Sequence, residues 1–190
     1  LIDQSIANAK NINGPSLIKV PDFIKDKLGN YYLYFADHTG DHIKMAFSNV
    51  IEGPHTLLNG GTLQLKDTPC RKHIASPDVH IQDNKIVMYY HGDIDTGQFT
   101  FRASSSNGIH FTSDDKILTP FYHREFEYLG VTYALCKNKN VDSQLYKKVD
   151  NSYELLYELL PGSRHTAVYV EDDILYIVYS LVGQAPERLY

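Results

Sequence analysis

The sequence predicts an all-β fold of the β-propeller type, a single domain over residues 1–190 with about four blades. Two observations carry that expectation. A short strand, a turn and a Tyr-rich apolar strand recur four times. The second strands read Tyr31-Tyr32-Leu33-Tyr34-Phe35, Ile86-Val87-Met88-Tyr89-Tyr90, Thr132-Tyr133-Ala134-Leu135-Cys136 and Leu175-Tyr176-Ile177-Val178-Tyr179. Aligned at Tyr32, Val87, Tyr133 and Tyr176, the repeats are spaced by 55, 46 and 43 residues, the period of a four-stranded blade. The chain also holds 15 Tyr and no Trp, and Tyr suits sheet faces that are half buried.

The elements follow in order. Blade one opens at Pro15-Ser16-Leu17-Ile18-Lys19-Val20, and a connector from Pro21 to Asn30 leads to its Tyr-rich strand. Asp37-His38-Thr39-Gly40-Asp41 turns the chain into the alternating run His42 to Phe47. Gly53-Pro54 and Asn59-Gly60-Gly61 punctuate an outer strand near Thr62 to Leu65. Blade two runs from Ser76-Pro77-Asp78-Val79-His80-Ile81 through a turn at Asp83-Asn84 to Ile86–Tyr90. Its third strand is Gln98 to Ser104, and a fourth is expected near Ile109 to Thr112. Blade three starts near Tyr122-His123-Arg124-Glu125-Phe126 and turns at Leu129-Gly130, with outer strands at Gln144–Lys148 and Tyr153–Tyr157. Propensity alone would also allow a helix over Tyr153 to Leu160, but the repeat favours strand. Blade four runs from Arg164 to Val170, turns at Glu171-Asp172-Asp173, and begins another strand near Pro186 to Tyr190. Asp3 to Lys10 suits one short helical turn.

Composition narrows the partners. A net charge of −5 without a basic run argues against nucleic acid. No apolar run is long enough for a membrane span, and no basic start with an apolar run marks a leader. Cys70 and Cys136 lack metal spacing and read as free buried thiols, which favours a reducing, cytoplasmic compartment. No cofactor is expected. Zinc or a similar metal on His38, His91, His165 and an Asp is a third reading, but no segment has ligand spacing.

A propeller gathers the inner strand ends around one axis. Superposed by sequence, Gly14, Ser76, Tyr122 and His165 fall at one position, and Ser16, Asp78, Arg124 and Ala167 two residues later. Side chains two apart share a strand face. The ends of the second strands add Asp37, His38, His91 and Ser180. Asp37, His38, Asp78, His91, Arg124, Arg164 and His165 are therefore expected at one rim. Each has a plainer reading beside it. Asp37 suits a turn, the histidines can be structural, and Arg124 can neutralise Asp78 or Glu125.

The motifs Asn13-Gly14-Pro15-Ser16-Leu17-Ile18, Gly29 to Phe35, Ser76-Pro77-Asp78-Val79 and Arg164-His165-Thr166-Ala167-Val168 resemble the five-bladed β-propeller glycosidases of the arabinanase, levansucrase and invertase clan. They look like an uncharacterised bacterial branch of it, in which His-Ile-Ala-Ser-Pro-Asp-Val-His and Ala-Pro-Glu-Arg recur. The resemblance implies a five-bladed propeller whose C-terminal blade is missing from the four counted here. Exposed blade edges would then invite a homodimer. It further implies a carbohydrate ligand and a glycoside hydrolase reaction run by two carboxylates. Gly14 and Ser76 stand where the clan has Asp before the Pro of blades one and two. The carboxylate candidates left are Asp78, Glu125 and Asp37. His38, His91, Arg124, Arg164, His165 and Ser76 are the candidates for binding the sugar. A non-catalytic carbohydrate-binding propeller, or an inactive fragment of a glycosidase, is the alternative.

Overall fold

The structure is a computed structural model that describes residues 12–140 and 142–190. The helical turn expected at Asp3 to Lys10 lies outside those residues. The described residues are all-β, with four sheets and one short 3-10 turn at Leu65–Asp67 among them. No helix among the described residues is long and apolar enough to cross a membrane. The chain divides into two compact units, one ending at Ile117 and one covering Leu118–Tyr190.

The first unit holds two blades. Blade one comprises β1 (Ile12–Lys19), β2 (Tyr31–Asp37), β3 (His42–Ser48), β4 (Thr56–Leu57) and β5 (Leu63–Gln64), and both β4 and β5 pair with β3. β5 is the outer strand expected near Thr62 to Leu65, and β4 is a further short one. Blade two comprises β6 (Ile74–Gln82), β7 (Lys85–Ile94), β8 (Gly97–Ser105) and β9 (Thr112–Ser113), all antiparallel. Its fourth strand starts at Thr112 rather than Ile109. Phe111 N–H instead donates to the Thr62 carbonyl, outside any ladder.

The second unit opens with the short β10 (Thr119–Pro120). The third sheet orders β11 (Arg124–Tyr128), β12 (Val131–Lys137), β13 (Ser143–Val149) and β14 (Ser152–Leu159). The segment from Tyr153 is a strand, as the repeat requires. The last sheet pairs β15 (Ser163–Glu171) with β16 (Ile174–Leu181). Tyr190 returns beside β16, its N–H and C=O both bonded to Tyr179, and the two rings stack at 5.5 Å.

Turn chemistry explains three of the four first hairpins. Gln82↔Lys85, Tyr128↔Val131 and Glu171↔Ile174 each close a two-residue loop. Asp83-Asn84, Leu129-Gly130 and Asp172-Asp173 all have positive φ, the arrangement whose twist matches that of paired strands. Leu129 alone among them is apolar and branched, and it is exposed.

Burial follows the alternation. Tyr32, Tyr34, Ile43 and Met45 of blade one share a core with Ile86, Met88, Tyr90 and Phe101 of blade two. Tyr34 is fully buried, and its hydroxyl donates to the Gly108 carbonyl at 2.8 Å, which satisfies the one polar atom it brings inside. Burial pushes that phenol well above its ordinary pKa. Gly108 has φ +73, and a Cβ there would lie 2.7 Å from Ile86 Cδ1. Only glycine fits the corner. Both cysteines are buried.

The second unit buries a lysine. Lys137, at the end of β12, is 1% exposed. Its ammonium donates to Ser143 Oγ at 2.7 Å, to the Ser163 carbonyl at 2.8 Å and to Ser163 Oγ. Three donors meet three acceptors, so the charge is buried with its hydrogen bonds complete. The cluster ties β12 and β13 to β15. Loss of hydration pulls the lysine pKa down to about 8, against the pull of Asp142 in the other direction.

Candidate functional site

Each inner strand begins with the same backbone device. In blade one the pairs Asn13↔Ala36 and Ser16↔Tyr34 leave Gly14 and Pro15 bulged. In blade two, Ala75↔His91 and Asp78↔Tyr89 leave Ser76 and Pro77 bulged. In blade four, Ser163↔Leu181 and Thr166↔Tyr179 leave Arg164 and His165 bulged. In blade three, Lys137 N–H bonds the Phe121 carbonyl and Arg124 pairs with Leu135, so Tyr122 and His123 take those places. Gly14, Ser76 and Tyr122 have φ of +51, +52 and +58. A bulge re-aims the residues that follow it. Here it sets Ser16, Asp78, Arg124 and Thr166 at one register position in four blades.

That register corrects the sequence alignment in blade four. Arg164, not His165, is equivalent to Gly14 and Ser76, and Ile177, not Tyr176, is equivalent to Tyr32 and Val87. The slip is one residue. Proline marks the bulge in blades one and two but not in blade four, so the sequence has no anchor there.

In the first unit the candidates form two groups. Ser76 hydroxyl donates to Asn13 Oδ1, and the Asn13 amide donates to His38 Nδ1 at 3.0 Å. The bulges of blades one and two are thus joined by side chains, and in its neutral form the exposed His38 carries its proton on Nε2. Val79 N–H donates to Ser16 Oγ at 2.9 Å, a second tie between the blades. Asp78 lies just beyond the bulge, its side chain 14% exposed, and accepts from His80 Nε2 at 2.8 Å. Asp37 ends β2 and is committed to Lys44, 2.8 Å away. Its Oδ1 is buried without a hydrogen-bond partner among the described residues. His91 is buried opposite Ala75, with its ring edge-on to His73 at 5.8 Å. His73 in turn meets Asp93 at 3.0 Å.

In the second unit Arg124 donates to the His123 carbonyl at 3.2 Å. Glu125, the next residue on β11, has a side chain only 5% exposed. It accepts hydrogen bonds from Lys148 Nζ at 3.1 Å and from the Tyr153 hydroxyl. Arg164 and His165 are exposed and meet a residue that sequence reasoning missed. Glu187 Oε2 lies 3.6 Å from Arg164, and its Oε1 accepts from His165 Nδ1 at 3.0 Å and from the Ser180 hydroxyl. The Tyr122 ring stands edge-on to His165 at 5.7 Å. The only trace of Glu187 in the sequence was the Ala-Pro-Glu-Arg motif. Among the described residues, no three His, Cys, Asp or Glu are grouped to hold a metal ion.

No family model matches the chain. In sequence it is 27% identical, over 227 aligned positions, to an uncharacterised protein of Acanthamoeba polyphaga mimivirus; the match takes in 96% of this chain and 62% of that protein. In structure it is similar to a thermostable family-43 glycoside hydrolase, with TM-score 0.69 and 16% identity, covering 94% of this chain and 67% of that one. The GH43_1 enzyme from Xanthomonas citri, solved with xylotriose, gives TM-score 0.70 and 12% identity, covering 90% and 66%. An endo-1,4-β-xylanase from Bacteroides thetaiotaomicron gives 0.67 and 14%, covering 98% and 71%. The chain therefore spans under two thirds of its viral relative and about two thirds of the first two enzymes. What it shares with these enzymes is the fold, a partial β-propeller of the family-43 glycoside hydrolase kind.

Proposed function

We propose that this protein is a glycoside hydrolase-like propeller, of the five-bladed type, that takes a carbohydrate at the inner ends of its blades. The observation that carries this is the bulge repeated in all four blades. In the first unit it presents Ser16 and Asp78 beside the Asn13, His38 and Ser76 network, and in the second unit it gives Arg124 and Thr166 the same register position. Hydroxyl, amide, imidazole and carboxylate groups gathered at the first unit's strand openings suit the many hydroxyls of a sugar. A solved neighbour of this fold holds xylotriose, which makes a pentose oligosaccharide the first ligand to try.

In this reading Asp78 is the carboxylate nearest the chemistry. It is mostly shielded from water, and His80 Nε2–H fixes its orientation. In the same unit Asp37 is the further carboxylate and His91 a binding candidate; in the second unit the candidates are Glu125 as carboxylate and Arg124, Arg164 and His165 for binding. A second reading, a sugar-binding propeller without turnover, is favoured by two specific findings. Gly14 and Ser76 offer no carboxylate at the bulges, and Glu125 is already engaged by Lys148 and Tyr153.

Assaying purified protein against xylo-, arabino- and fructo-oligosaccharides separates the two readings. Product that disappears in Asp78→Asn supports hydrolysis. Saturable binding without product supports the second reading. Neither product nor binding on any member of the panel removes both.

A further inference from the structure

We propose that Glu187 is a positioning residue: it locks His165 with the proton on Nδ1, so that Nε2 faces outward as a hydrogen-bond acceptor for a ligand hydroxyl. This rests on the carbohydrate reading for the ligand class, but the pairing itself stands on geometry alone.

The chemistry of the donors dictates the tautomer. An ionised carboxylate can only accept, so the 3.0 Å contact between His165 Nδ1 and Glu187 Oε1 requires a proton on Nδ1. A neutral imidazole with Nδ1 protonated has its lone pair on Nε2. Among the described residues nothing is bonded to that nitrogen, and the His165 side chain is 45% exposed. The carboxylate is itself fixed at both oxygens. Oε1 also accepts from the Ser180 hydroxyl, which β16 places opposite the bulge, and Oε2 faces Arg164. The segment carrying Glu187 is pinned by Tyr190, whose main chain bonds Tyr179 in both directions. A carboxylate that orients an imidazole from behind is a recurring second partner of functional histidines.

The position is as telling as the pair. His165 occupies the bulge site that holds Pro15 and Pro77 in blades one and two and a buried His123 in blade three. Of these four residues, His165 alone is both polar and exposed. The charged groups around it are Glu187, which favours its protonated form, and Arg164 and Arg124, which oppose it. Burial outweighs them and lowers its pKa below the ordinary value. Glu187 is held below the ordinary carboxylate range, first by the Ser180 hydroxyl. At neutral pH the pair is therefore imidazole and carboxylate, an acceptor backed by an anion. His38 in the first unit has the opposite polarity, with Nδ1 accepting and Nε2 left to donate.

The test is long-range proton–nitrogen NMR of the histidine rings in the full chain, followed from pH 5 to pH 9. His165 is expected as the tautomer protonated on Nδ1. Glu187→Gln keeps an acceptor but removes the charge, so the tautomer should persist and the titration midpoint should fall. Glu187→Ala should lose the tautomer preference and lower the midpoint too. The proposal is overturned if wild-type His165 carries its proton on Nε2. An unchanged midpoint in Glu187→Gln overturns it as well, and that variant keeps the side-chain volume should Glu187→Ala fail to fold. Xylotriose is then added to the wild-type protein. A shift at His165 Nε2 supports the ligand role. Shifts around Ser76 and Asp78 with His165 unmoved overturn that role. No shift anywhere counts against the carbohydrate reading and leaves the pair standing.

Discussion

Replacing Lys137 by Met should erase a gain in stability that the wild-type protein shows above pH 8. Lys137 is buried, and its pKa drops from 10.5 to about 8 because folding strips its hydration. Below pH 8 the folded and unfolded chains both carry the ammonium. Between about pH 8 and pH 10.5 the unfolded chain holds a proton that the folded chain has released. The unfolded state binds more protons in that window, so stability rises with pH. The shift corresponds to about 3 kcal/mol, most of it gained by pH 10. Tyr34 and Cys70 act the other way in alkali, because burial raises their pKa values, that of Cys70 to about 11. They are the same in both proteins, so the difference between wild type and Lys137→Met isolates the lysine. Met follows the unbranched lysine chain as far as Cε and lacks only the ammonium, and the Ser143 and Ser163 hydroxyls, 2.7 Å apart, can still bond each other. Urea unfolding of both proteins from pH 7 to pH 10 gives the difference directly. It should grow by about 2.5 kcal/mol in favour of the wild type. A difference that stays flat across that range would refute the buried, dehydrated ammonium.

Other consequences are open to simple measurement. Gly108→Ala forces a side chain into a left-handed corner against Ile86 and Tyr34, and should cost roughly 2–4 kcal/mol in urea unfolding. Tyr34→Phe leaves the Gly108 carbonyl without its donor and should cost about 1–2 kcal/mol, with less-than-additive loss when combined with Gly108→Ala. A thiol reagent should label neither Cys70 nor Cys136 in the folded protein and both in urea, since both are buried; rapid labelling of either in the native state would contradict the packing. Asn13→Ala should break the link from Ser76 to His38 and weaken sugar binding while leaving the unfolding free energy within about 1–2 kcal/mol of wild type.

Much of the fold was legible because alternation and turn residues act locally. Asp83-Asn84, Leu129-Gly130 and Asp172-Asp173 announce hairpins through their own backbone preferences, and the Tyr-rich strands announce a half-buried face. Register in blade four was not legible. Prolines fix the bulge in blades one and two, whereas Arg164 and His165 resemble any other strand residues. The outer strands β4, β5 and β9 are two residues each, too short to have a period. The candidate residues at the strand openings were legible, but their partners were not. Glu187 reaches His165 only because the chain folds back at Tyr190, and Lys137 reads as a surface residue until Ser163 arrives from 26 positions away. Both contacts depend on tertiary closure, which no local pattern encodes.

The most direct measurement of the central claim is calorimetric titration of the protein with xylo- and arabino-oligosaccharides, run in parallel on Asp78→Asn and on Asn13→Ala. Saturable heat with the wild-type chain, reduced by both substitutions at the blade openings, is the expected result. Silence with every sugar, or equal heat from all three proteins, would contradict a carbohydrate site at the inner strand ends.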